Sequence, residues 1–208
     1  MVSKEIEQYC EAHSSPESEF LAALNRETHL TQVYPRMLSG PMQGTFLRFI
    51  SQMIRPARIL EIGTFTGYSA INLALGCEGI VHTIEVNPEL EQIIRKYIGE
   101  SGTADRIVLH TGEALKIIPT LNETWDLVFI DADKPNYLNY FKLVFPNVSK
   151  GGWIIADNAL WDGKVLSADT TDKDTLGIQK YNEFVMKDER VEKLLLPFRD
   201  GLMIARKI

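Results

Sequence analysis

From Ala57 to Ala156 the chain alternates short, largely apolar, β-branched runs with segments of helix length, and this alternation leaves few folds open. The runs are Ile59 to Ile62, Ile80 to Ile84, Ile107 to Leu109, Leu127 to Ile130 and Trp153 to Ala156. A strand with one wet face alternates apolar and polar residues, whereas a continuous run needs both faces covered. Covered strands separated by helix-length stretches predict right-handed crossovers and an α/β, doubly wound, mostly parallel Rossmann-like sheet. Near the end, Val191 to Phe198 and Leu202 to Ala205 flank Arg199-Asp200-Gly201, which predicts an antiparallel C-terminal hairpin and brings the count to seven strands.

Upstream of Ala57 the spacing becomes helical, as in Phe20, Leu21, Leu24 and in Phe46, Leu47, Phe49, Ile50, Met53. The expected organisation is a single domain of 208 residues, with a helical cap over 1–55 and an α/β core over 56–208. After the second run, Asn87 suits a helix cap and Pro88 a first turn, and Leu90, Ile93, Ile94, Tyr97 and Ile98 make one apolar stripe. Lys and Arg total 22 against 28 Asp and Glu, a net charge of −6 that argues against a nucleic-acid partner. No apolar run approaches the roughly 20 residues of a membrane span, so no membrane partner is expected. The polar amino terminus resembles no export signal, and Cys10 and Cys77 make no metal or redox spacing. The expected location is the cytoplasm.

In open α/β sheets, ligands bind at the carboxyl ends of the strands, which directs attention to the loop after the first run. There Gly63 and Gly67 form G-x-x-x-G, not the G-x-G-x-x-G of a dinucleotide cradle. Glu61 is a carboxylate inside an apolar strand, and burying it is costly unless it is fully hydrogen-bonded. Glu85 ends the second strand 24 residues after Glu61, about where an acid holds a ribose in nucleotide-binding sheets. Together these predict a nucleoside ligand with a positive end. The fourth strand exits into Asp131-Ala132-Asp133-Lys134 and the fifth into Asp157-Asn158. Neighbouring strands lie about 4.8 Å apart, so Asp131, Asp157 and Asn158 can form an oxygen-rich cluster for a hard cation. Mg²⁺ is favoured, with Mn²⁺ or Ca²⁺ as substitutes. Lys134 can place an amine at the rim as a general base.

The segments LEIGTFTGYS at 60–69, IEVNP at 84–88, GEA at 112–114, FIDADKPNY at 129–137, DNALWDG at 157–163 and LPFRDGL at 196–202 carry a family resemblance. The chain resembles the cation-dependent O-methyltransferases that use S-adenosylmethionine (SAM), the group containing catechol and caffeoyl-CoA O-methyltransferases. The resemblance spans nearly the whole sequence. It implies a methyl donor, SAM, with Glu61, Gly63 and Ser69 along its methionine part and Thr64 of the same loop among its contacts. Ser39, before the third helix, would also contact it, Glu85 would hold the ribose, and Ala114 would meet the adenine. It further implies metal ligation by Asp131, Asp157 and Asn158, with Asp131 and Asp133 beside the cofactor and Lys134 as base. Trp161 and Tyr140 would line the pocket for an aromatic diol, and a homodimer is expected. Many relatives carry an acid in the stretch Pro41-Met42-Gln43-Gly44 and an arginine at Gln179, so the acceptor is the least constrained feature. The polar segment from Trp161 to Leu176 reads as a mobile loop that covers it. Two other readings are a nicotinamide-dependent oxidoreductase, disfavoured by the missing phosphate cradle, and a non-catalytic binding protein on the same fold.

Overall fold

The computed structural model describes residues 3–208, so residues 1 and 2 of the expected cap lie outside the described residues. Seven strands, β1 (Arg58–Ile62), β2 (Ile80–Glu85), β3 (Ile107–Thr111), β4 (Trp125–Ile130), β5 (Val148–Ala156), β6 (Val191–Leu196) and β7 (Leu202–Lys207), form one sheet. The order is β3-β2-β1-β4-β5-β7-β6, so the chain reverses direction across the sheet between β1 and β4. That reversal is the crevice where such sheets bind ligands. β2–β3 and β4–β5 are parallel, while β7 runs antiparallel to both β5 and β6, the hairpin expected from the Gly201 turn.

β5 starts five residues earlier than its apolar run suggests, because Ser149, Lys150, Gly151 and Gly152 interrupt the hydrophobic signal. Its register with β4 shifts between Trp125 and Leu127, and Gly151 adopts φ 80°.

The chain divides into two compact groups. One holds Leu60–Gly63 with Ala114–Ile208, including α6 (Ala114–Ile117), α7 (Tyr137–Val144) and α8 (Lys173–Lys187). Its core is built on Leu127, Phe129, Phe141 and Ile155, with Tyr137 and Tyr181 in edge contact at 5.7 Å. The segment from Trp161 to Leu176 is more ordered than its polarity suggests. Trp161–Leu166 is two 3₁₀ turns joined by a kink at Asp162 and Gly163, and α8 begins at Lys173 under an Asp172 cap that accepts from the Thr175 amide at 3.0 Å. Gln179 donates to the carbonyls of Val165 and Ser167, both at 2.9 Å, and ties the stretch to α8.

The other group holds the residues up to Ile59 with Thr64–Glu113. It contains α1 (Lys4–Ala12), α2 (Glu19–Thr31), α3 (Gly40–Ile54), α4 (Tyr68–Leu75) and α5 (Glu91–Glu100). Asn87 caps the turn before α5 by accepting from the Glu89 amide at 3.0 Å, and Ile94, Tyr97 and Ile98 are buried. α2 is pinned by Glu27, which accepts from Lys96 at 2.5 Å and Tyr97 at 2.7 Å, and by a 3.0 Å bond from Thr28 to Thr66. Among the described residues, no helix is long and apolar enough to cross a membrane. Both cysteines are free thiols.

Candidate active site

The loop after β1 is held in backbone conformations that L residues disfavour, with φ 100° at Gly63, 50° at Phe65 and 94° at Gly67. The freedom of Gly63 serves the chain itself: a Cβ there would overlap the carbonyl oxygen of Asp131, so only glycine lets the ends of β1 and β4 approach. The Asp131 amide donates to the Ile62 carbonyl at 2.9 Å beside it. Glu61 lies fully buried in β1, and Ala114 is buried at the start of α6.

In the other group, the Thr64 amide donates to the Ile84 carbonyl at 3.2 Å, and its hydroxyl lies 2.5 Å from that of Thr83. Glu85 is buried at the end of β2. Its carboxylate accepts from the Phe65 amide at 2.7 Å through one oxygen and from the Asn87 amide at 2.8 Å through the other. Burial pushes the Glu85 pKa up, against the opposing effect of the Asn87, Phe65, Val86 and Thr64 amides. The loop conformation and Glu85 therefore specify each other. Ser39, directly before α3, and Ser69, in the first turn of α4, are both buried.

At the other strand ends, Ile130 and Ala156 are register partners, so Asp131 and Asp157 are the first residues beyond a parallel pair. The Asp157 amide donates to the Ile130 carbonyl at 2.9 Å, and the Asp157 carboxylate accepts from the Asn158 amide at 2.7 Å. Lys134 is buried, contrary to the usual expectation for a lysine in a turn. Its Nζ donates to Asp131 Oδ1 at 3.1 Å and to the Tyr137 hydroxyl at 2.8 Å, and it lies 5.6 Å from the Trp161 ring centre. Tyr137 is fully buried; burial first, then the charges of Asp131 and Asp157, hold its pKa well above the ordinary phenol value. One hydroxyl thus feels both carboxylates while it receives the lysine.

Asn158 stands at φ 55° and its side-chain amide donates to Asp200 at 3.2 Å. Because that nitrogen is committed to Asp200, the carbonyl oxygen is the end of the side chain that could meet a cation. Asp131, Asp157 and Asn158 are thus two carboxylates and a carboxamide, a donor set that fits a hard divalent cation. Among the described residues, no three His, Cys, Asp or Glu side chains group as a metal site. The Tyr140 hydroxyl donates to Asp133, which also accepts from the Asn136 side-chain amide at 2.5 Å. Asp200 is the residue that sequence reasoning passed over, since a turn aspartate next to glycine looks like ordinary hairpin chemistry.

Comparison with known proteins agrees with this architecture. The O-methyltransferase family profile matches residues 11–208, and the chain belongs to that family. It is a SAM-dependent O-methyltransferase. It is 34% identical over 182 residues to the catechol O-methyltransferase of Niastella koreensis, covering 82% of each chain. It is 35% identical over 186 residues to caffeoyl-CoA O-methyltransferase 1 of Eucalyptus globulus, covering 83% of this chain and 75% of that one. Among solved structures, an O-methyltransferase from Bacillus cereus in complex with SAH superposes with a TM-score of 0.92 at 30% identity, over 98% of this chain and 97% of the other. TomG from Streptomyces achromogenes, in complex with SAM, gives 0.92 at 28% identity over 100% and 99%. The family supersedes the oxidoreductase reading, which already lacked its glycine pattern.

Proposed function

We propose that this chain transfers the methyl of SAM to one hydroxyl of a vicinal dihydroxy aromatic ring with the help of a bound divalent cation, Mg²⁺ by preference. The observation that carries the reading is the buried Lys134 joined to Asp131 at the end of β4, beside Asp157 and Asn158 at the end of β5. The relatives named for catechol and caffeoyl-CoA supply the acceptor class.

Asp131, Asp157 and Asn158 would hold the cation, which supplies a positive charge that stabilises the phenolate of a poor oxygen nucleophile. Two adjacent ring oxygens would suit such a site, and a ring held there would be oriented for in-line attack on the sulfonium methyl. Lys134 Nζ donates to Asp131 and Tyr137; as the neutral amine it would take the proton of the acceptor hydroxyl and become the ammonium that Asp131 pairs with. The oxygen–carbon bond forms as the sulfur–carbon bond breaks, and the sulfonium charge is lost. Trp161 packs against the aromatic ring, and Tyr140 acts through Asp133.

For the donor, Glu85 would accept from ribose hydroxyls with the lone pairs its amide contacts leave. Ser39, Thr64 and Ser69 contribute polar contacts, as do Glu61, Gly63, Ala114, Asp131 and Asp133. The chain acts as one methyltransferase domain, its 1–55 segment a cap on the 56–208 core, and works in the cytoplasm as a homodimer. The test is turnover of labelled SAM with a catechol panel: chelation abolishes product and Mg²⁺ restores it. Full activity in excess chelator removes the cation from the mechanism, and activity only on monohydroxy phenols removes the diol.

A further inference from the structure

We infer that Asp200, in the turn between β6 and β7, is a positioning residue that sets which atom of Asn158 faces the cation. The inference rests on the cation site proposed above. A carboxylate can only accept hydrogen bonds, so whichever end of the Asn158 amide meets Asp200 must be its nitrogen. Asp200 Oδ2 accepts from Asn158 Nδ2 at 3.2 Å, while its Oδ1 accepts from the Asp162 amide at 2.5 Å. The carboxamide oxygen is thereby turned away from Asp200 and kept as the ligating end. Without an acceptor at 200, an asparagine can flip and present a nitrogen, which repels a cation.

The backbone of the same turn continues the clamp. The Leu160 amide donates to the Asp200 carbonyl at 2.8 Å and the Ala159 amide to the Gly201 carbonyl at 2.9 Å. On either side of these bonds stand three non-glycine residues in left-handed backbone, Asn158 at φ 55°, Trp161 at 48° and Asp162 at 51°. Such conformations persist where surrounding bonds over-determine them, and here four of the bonds come from the Asp200–Gly201 turn. Gly201 allows the approach, since a Cβ there would overlap Leu160. The turn therefore fixes both the proposed ligand Asn158 and the start of the Trp161 stretch.

The test is Mn²⁺ titration of the purified full chain by calorimetry, without donor or acceptor. Asp200→Ala is expected to bind Mn²⁺ at least about tenfold more weakly than the parent, with SAM affinity unchanged. Asp200→Asn keeps the side-chain volume and an oxygen for the Asp162 amide but no longer dictates the Asn158 flip, so it falls between the two. It carries the test if the alanine variant does not fold. In turnover assays the half-saturating Mg²⁺ concentration rises by the same factor while kcat at saturation changes far less, a split that loss of structure alone would not produce. In an Asn158→Ala background, Asp200→Ala adds nothing further. Parental Mn²⁺ affinity in the Asp200 variants, or additive losses in the double variant, overturns the positioning role. A parent that binds no Mn²⁺ overturns the cation site itself, and the positioning role with it.

Discussion

Lys134 departs from ordinary surface behaviour, being buried with its amine on Asp131 and Tyr137. Positioned proton transfer contributes typically 10² to 10⁴ in rate. Lys134→Met keeps the length of the stem and removes the amine, so turnover should fall by at least about a hundredfold while calorimetry shows donor affinity retained. Parental turnover would assign proton removal to some other group. Glu85 makes a pH prediction. Burial raises its pKa above the usual 4.5, so in the folded chain it takes up a proton at a higher pH than an exposed carboxylate would. A raised folded pKa adds stability below the unfolded value and loses it as pH rises through the folded one, opposite in sign to the requirement for a ribose acceptor. SAM affinity should therefore fall as the pH is lowered toward 4.5 from above, before exposed carboxylates titrate. Glu85→Gln should flatten that dependence and weaken binding by a few kcal/mol at most. A parental acid limb in Glu85→Gln would mean the titrating group is elsewhere. Glu85 was legible in the sequence from its place at a strand end. Its two backbone donors were not, because they come from a loop whose positive φ at Phe65 no composition signals.

Among the elements, α8 has the most direct hold on the proposed chemistry. A Cβ at Gly177 would overlap the Lys134 carbonyl and lie 2.7 Å from the Pro135 Cα, so glycine lets the helix lie against the Lys134 turn. Gly177→Ala should destabilise the fold by about 1–3 kcal/mol through overpacking, and lower kcat more than donor affinity because the displaced backbone carries the proposed base. Chemical denaturation and steady-state kinetics check both parts; an unchanged midpoint would show that α8 shifts freely. The strand pattern, the Asn87 cap and the closing hairpin were legible because burial on both faces and turn chemistry leave local marks. The order from Trp161 to Leu176 was not, since polar residues there are held by Gln179 bonds to two backbone carbonyls and by the Asp172 cap. A distant side chain bonding a backbone leaves no periodicity to read. Asp200 escaped for the same reason: its partners Asn158 and Asp162 lie about forty residues upstream, and only the β5–β7 pairing brings them together.

At the scale of the whole molecule, the expected homodimer can be tied to particular surface. Scattered exposed apolar side chains are normal, but a contiguous run marks a surface that associates. Leu30, Val33, Tyr34 and Met37, at the end of α2 and in the connection after it, are 74%, 84%, 72% and 59% exposed. Phe49 and Met53 on α3 add further exposed apolar area. Burying such groups is worth about 25 cal/mol per Å² of apolar surface, so a patch of a few hundred Å² contributes several kcal/mol toward association. Sedimentation should give a species of about twice the 23.6 kDa chain mass. Val33→Asp puts a charge in the middle of the run, where its desolvation opposes association, and should shift the species toward a single chain mass. Because Val33 lies outside every residue proposed for donor, cation or acceptor, the monomeric variant should keep its SAM affinity. A parent that sediments at a single chain mass at micromolar concentration would remove the dimer, and a Val33→Asp dimer as tight as the parent would move the interface to another face.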